Sequence, residues 1–332
     1  MFASDQRGSA MSLIMLAPLV GGAIGPAMGG AIAQRWGWRW VLYIAAALAV
    51  LCEGLFMGCF GETYRAAILR RRNTKLGKRG GGGGVKKLWH SITRPFAVLF
   101  GSAVLVALSA FAGVAFSFFY VMSISLPVIL TQEYGFSPAE TGAAFMSFSK
   151  TQHPQPVRVG TTNTILGVGS FLSVLVCNFG LDRIYIALRG SSPNAKGKPE
   201  YRLPLCIFGG FAIPLAVTAF GWVAEYRLPA PWLLTCVSVL GFTLLLTMVP
   251  LSAYVVDAFG MYSASAMTGV IVMRCLAGTF LPLGVAPLVE RLGYGWGFTV
   301  LGGVSMGLAV VPVLILVYGE RLRQRSEFTR DG

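Results

Sequence analysis

The sequence predicts an all-α polytopic membrane protein, and three observations carry that prediction. Of 332 residues, 55% are hydrophobic and only 12% are charged, about half the charge of an ordinary soluble domain, and the mean hydropathy is +0.67. The apolar residues gather in long runs, most of them about 20 residues or more, the length that crosses a bilayer as a helix. The 27 basic residues outnumber the 13 acidic ones, and they lie mainly between alternate runs, the pattern of cytosolic loops. Soluble enzymes, disordered chains and disulfide scaffolds are excluded, because none carries such runs. The runs are too evenly apolar for the alternating strands of an outer-membrane barrel, which leaves helices.

Eight runs are expected to span, at about 10–33, 40–60, 96–130, 142–180 (interrupted), 204–224, 231–254, 262–288 and 295–318. The first follows a polar opening and is too long and too broken for a secretory leader. Gly21, Gly25 and Gly29 recur every four residues along one of its faces, and Gly30 follows. Such a face lets a neighbouring backbone come close, and Pro26 removes a hydrogen bond and bends the helix. Static packing of small residues is the alternative reading of the same pattern. The second run carries Glu53, about eight residues and so about 12 Å from its inner end. A poorly hydrated carboxylate there could take up and release a proton, or it could sit in a water-filled cavity without turnover.

Between the second and third runs lies a basic linker over residues 61–95, with five consecutive glycines from Gly80 to Gly84. It lacks the Gly-Lys-Ser/Thr ending of a phosphate-binding loop and reads as a flexible tether. The third run is rich in aromatic residues, Phe111, Phe116, Phe118, Phe119 and Tyr120, which would suit an apolar or cationic cargo or simple lipid-facing packing. The fourth is interrupted near residues 148–165, where Lys150, Arg158, Pro154 and Pro156 should make the segment loop out or break the span. Asp182 and Arg183 close it. The seventh run carries Arg274 about 12 residues in, near the bilayer middle, where a guanidinium must have a partner or water: either it faces a central cavity and contacts substrate or a carboxylate, or it snorkels toward the cytosolic side beside Asp257.

The loops set an orientation. Arg7, ten basic residues in 61–95, five in 181–203 and four after Tyr318 make twenty on one side, against Arg35, Arg39, Arg227 and Arg291 on the other. That imbalance places both termini in the cytosol and explains the net charge of +14 without nucleic acid. Two spans before the linker and six after it suggest a transporter of two matched halves from which four spans are missing. Cys52, Cys59, Cys177, Cys206, Cys236 and Cys275 all lie in apolar stretches, and His90 and His153 are far apart. No metal, cofactor or enzymatic cluster is expected.

The segment Gly21-Gly22-Ala23-Ile24-Gly25-Pro26-Ala27-Met28-Gly29-Gly30 resembles the antiporter motif of the fifth span in the major facilitator superfamily. The flanks Asp5 to Ser12 and Trp36-Gly37-Trp38-Arg39-Trp40 are similar to those of the fungal twelve-span drug:proton antiporters. So are Glu62-Thr63-Tyr64 with Arg70-Arg71, Pro199-Glu200-Tyr201-Arg202-Leu203-Pro204, Tyr254 to Phe259, Tyr262, Phe280-Leu281-Pro282-Leu283 and Tyr318-Gly319-Glu320-Arg321.

The resemblance covers nearly the whole chain and implies a major facilitator fold whose eight helices correspond to spans 5 to 12 of twelve. Residues 1–60 would be the last two helices of the N-terminal half, 61–95 the linker, 96–318 the six-helix C-terminal half and 319–332 a cytosolic tail. It implies proton-coupled efflux of drugs, polyamines or secondary metabolites by a monomer in the plasma membrane, or else the vacuolar one, with no cofactor. The glycine motif, an Asp182–Arg183 charge pair and an Asp257–Arg274 pairing would serve gating, with Glu53, Phe119 and Tyr120 as proton or substrate positions. The insert at 148–165, absent from the resembled proteins, reads as translated intron or gene-model error, with a re-entrant loop as its rival. The alternative for the whole chain is a truncated, non-transporting membrane fragment.

Overall fold

The computed structural model describes residues 25, 28–33, 35–59, 93–136, 165–190, 198–324, 326 and 329. Among them every regular element is a helix, as lipid requires of a chain that must satisfy its own backbone. The helices are α1 (Trp38–Cys59), α2 (Ala103–Gln132), α3 (Ile165–Gly190), α4 (Leu203–Glu225), α5 (Ala230–Phe259), α6 (Ser263–Leu308) and α7 (Val310–Gln324). Short 3-10 turns over Pro199–Arg202 and Gly260–Tyr262 lead into α4 and α6. Gly21, Pro26, most of the linker and nearly all of the 148–165 insert lie outside the described residues.

The second, third, fifth, sixth and seventh runs become helices with boundaries within a few residues of those expected, whereas the fourth is helical over Ile165–Gly190 and most of the first lies outside the described residues. Residues 93–100 are helical, Gly101 and Ser102 break the chain, and α2 carries on. The expected seventh span and the first part of the eighth fall in α6, which is divided by Gly293 at φ 78° and ψ 172°, and the eighth continues into α7. Only glycine adopts that backbone readily, so the reversal takes a single residue rather than a loop. The carboxylate of Glu225, at the end of α4, accepts hydrogen bonds from the N–H groups of Tyr294 (2.8 Å) and Gly295 (3.2 Å). It thereby caps the helix that starts after the reversal.

α2 packs along α6, α4 lies against both α5 and α6, and α3 lies on α5. Leu105, Leu108, Phe111, Phe118, Leu126, Phe220 and Phe298 fill the shared core. Small residues set the close crossings: a Cβ on Gly221 of α4 would sit 2.5 Å from Phe298 Cβ and 2.8 Å from the Tyr294 carbonyl. Hydroxyls inside the helices bond back to the preceding turn, as Ser117 does to Gly113 and Thr247 to Thr243, both at 2.7–2.8 Å. They therefore cost little in an apolar surround. α1 differs, being long and apolar enough to cross a membrane yet with none of its length buried against the other helices.

Candidate functional site

Among the described residues two arrangements bear on function, a charged cluster at one end and a cation on an open aromatic face. The cluster is built by the turn Pro199–Arg202, where proline at the first position fixes the backbone and feeds two charged side chains inward. Arg202 is wholly buried. Its Nε donates to Asp257 Oδ2 of α5 at 2.5 Å, and its Nη1 donates to Asp182 Oδ1 of α3 at 3.4 Å. Its guanidinium stacks 4.7 Å from the ring centre of Tyr185, which meets Tyr201 edge to face. One cation between two carboxylates, over an aromatic face, is arginine's preferred buried setting.

A second tier lies beside it. Glu200, also buried, reaches Arg323 of α7 at 3.4 Å. Neither carboxylate oxygen of Glu200 has a hydrogen-bond partner in reach, and the same holds for the buried Tyr254 hydroxyl. At the rim Lys198 and Glu320 pair at 2.6 Å in the open. Their hydrogen bond pushes the Lys198 ammonium above its usual range and holds the Glu320 carboxyl below its own. Three helix ends, α3, α5 and α7, are thus tied to one turn by charge. These pairs gather at one end of the bundle, while Trp222, Tyr226, Tyr294 and Trp296 lie at the opposite end, as aromatic belts do at an interface.

The structure rearranges the expected pairs. Asp257 is held by Arg202, and no ion pair joins it to Arg274. Asp182 turns to Arg202 as well, leaving Arg183 exposed. The reason is register: the buried turn puts Arg202 between the ends of α3 and α5, whereas Arg274 lies three turns up α6. Arg202, Glu200, Tyr185 and Arg323 were not expected as site residues, although the two charges of Pro199-Glu200-Tyr201-Arg202, set directly before an apolar run, carried a signal for the first two.

Arg274 instead lies over Phe116 of α2, its Cζ 4.2 Å from the ring centre. Phe116, Phe119 and Tyr120 form one aromatic group with ring centres 5.5 to 5.8 Å apart. Phe119 and Tyr120 are 45% and 37% exposed. Phe111 and Phe118, the other aromatic candidates of this run, are core residues. Glu53 is exposed on α1, apart from this group. Gly25 has nothing within 4 Å of a Cβ position and Gly29 meets only Val41, at 3.7 Å, while Gly30 is half-buried. The close helix approach expected at these glycines is therefore not made among the described residues.

Residues 1–282 match the model of the Major Facilitator Superfamily. The MFS-type transporter penM of Penicillium rubens is 33% identical over 99% of the chain and 63% of its own length. The MFS transporter cpaT of Aspergillus oryzae is 31% identical over 99% of the chain and 64% of its own length. The efflux pump radE of Floropilus chiversii is 30% identical over 98% of the chain and 59% of its own length. The chain therefore spans between 59% and 64% of these relatives.

Proposed function

The chain belongs to the Major Facilitator Superfamily, and from that premise we propose that it serves as a secondary active transporter exporting small, largely apolar organic molecules. Export is driven by inward proton flow, and the site alternates between the two sides of the membrane. The observation that carries this reading is Arg202, buried between Asp182 and Asp257 at the ends of α3 and α5. A buried ion triad contributes little net stability, because desolvation offsets attraction. Its use is as a latch, which holds one end of the bundle shut and forms or breaks as a unit. The names of relatives, one of them an efflux pump, support the direction of transport.

The charge asymmetry of the loops supports cytosolic termini, and the same reading puts the Arg202 latch on the cytosolic side. Residence in the plasma membrane, and action as a monomer with residues 96–318 as one transporter half, belong to the same proposal. The glycine face around Gly25 is where a helix of the other half would lie.

Expression in a host lacking its own efflux pumps tests the reading. Cells should hold less of a fluorescent apolar dye than empty-vector cells, a protonophore should abolish the difference, and Gly25→Leu should do the same. Equal dye retention, with the protein present in the membrane, would count against it.

A further inference from the structure

We propose that Arg274, with Phe116, Phe119 and Tyr120, forms a subsite for a planar aromatic anion, such as a carboxylate carried on a fused ring. The inference rests on the transporter reading and narrows its substrate class. The sequence leads to an expectation of apolar or cationic cargo, with Arg274 either paired with Asp257 or in contact with substrate or a carboxylate. The pairing is not made, since Asp257 is held by Arg202, which leaves the contact with substrate.

Arg274 presents a planar guanidinium with N–H donors and no acceptor. It lies 11 residues into α6, about 16 Å from the start of that helix, well inside the hydrocarbon depth. A cation there is costly against lipid, so the face that bears it meets water or protein rather than acyl chains. Among the described residues no carboxylate pairs with Arg274, and its Nε is buried with no hydrogen-bond partner. The ring of Phe116 covers one side of the guanidinium and satisfies none of its N–H donors. A buried donor left unmade is what a bound oxyanion would complete, and a planar fork matches a carboxylate.

The surroundings say what the anion would be attached to. Phe119 and Tyr120 stand exposed beside Phe116, so a flat ring can stack there. Tyr120 rests on Gly278, where a Cβ would be 2.6 Å from its ring, and this contact fixes its orientation. One turn further along both helices, Ile124, Val128, Pro282 and Val285 line an apolar cleft of about 250 Å³ between α2 and α6. Helical spacing puts the cleft on the same face as Tyr120 and Gly278. Glu290, at the far end of that cleft, is 16 residues from Arg274, about 24 Å along the helix. The face therefore offers one positive head site and an apolar tail site.

A matched pair of probes tests this on the full chain in nanodiscs: 2-naphthoate and 2-naphthylmethylammonium, which share a ring and differ in the sign of charge. Equilibrium dialysis should show 2-naphthoate bound more tightly. Arg274→Ala should weaken it about tenfold or more and leave the cation within twofold, and Arg274→Lys should restore part of the loss. Preference for the cation, or an equal loss of both probes in Arg274→Ala, would overturn the assignment, the second pointing to an ion pair with another protein segment. Because Arg274→Ala could disturb folding, Phe119→Ala and Tyr120→Ala provide an independent arm: each should weaken 2-naphthoate severalfold, and no change in either would also overturn it. Flux in proteoliposomes is scored separately. Binding of the anion without flux refutes the transporter reading alone, whereas flux of the cation with no anion binding refutes the subsite alone.

Discussion

The Nε of Arg202 donates to Oδ2 of Asp257 across 55 residues of chain, and this bond, rather than one from Arg274, decides how the charges of the bundle are arranged. Asp182 joins the same guanidinium from α3. Removing the arginine strands two carboxylates in a nearly dry site. Arg202→Ala should therefore destabilise the bundle by about 3–5 kcal/mol, with Arg202→Lys intermediate because it loses the fork and the stacking on Tyr185. The triple change Arg202→Met, Asp182→Asn, Asp257→Asn should recover much of the loss. Thermal unfolding of each variant in detergent checks the order.

The crossing of α4 and α6 should depend on Gly221. Gly221→Val places a side chain against Phe298 and the Tyr294 carbonyl, and the backbone must shift. A cost of about 1–3 kcal/mol is expected. Gly303→Ala, where nothing lies within 4 Å, serves as the contrast and should leave the midpoint unchanged.

Glu225 caps the helix that restarts after Gly293. Glu225→Ala should cost about 1–2 kcal/mol, with Glu225→Gln smaller. Hydrogen exchange at Tyr294 and Gly295 is the direct measure: both amides should exchange faster, while the amides of the Arg202 turn should not.

The exposed Lys198–Glu320 pair makes a small pH dependence of definite sign. The folded Glu320 carboxyl titrates below its unfolded value of 4.5, so its contribution is present above that pH and fades as pH falls through the lowered folded value. Lys198 titrates above its unfolded value of 10.5, so its contribution holds below that pH and fades as pH rises through the raised one. Both side chains lie at the surface, and salt should screen the effect. Unfolding midpoints followed across pH should lose the acid limb of this contribution in Glu320→Gln, and high salt should flatten both limbs.

The helices were legible because run length and apolarity are local properties, and 204–224 or 231–254 needed no partner to be read. The division between the seventh and eighth runs was legible as a gap at 289–294, but the single-residue reversal at Gly293 was not, because a one-residue break leaves little mark on apolarity. Pairing of charges was illegible for a physical reason. Arg202 satisfied the orientation rule as one more basic loop residue, and only the packing of α3 beside α5 brings Asp182 and Asp257 to it. The aromatic run was half legible: its composition announced candidates, but the choice between Phe118 in the core and Phe119 in the open depends on which face α6 covers.

Transport driven by a proton gradient, measured with purified chain in sealed vesicles, tests the central claim most directly. The account predicts that an imposed pH gradient drives net movement of an aromatic solute, that collapsing the gradient stops it, and that Arg202→Ala stops it as well. Folded, correctly inserted protein that moves no solute under a gradient would contradict the account.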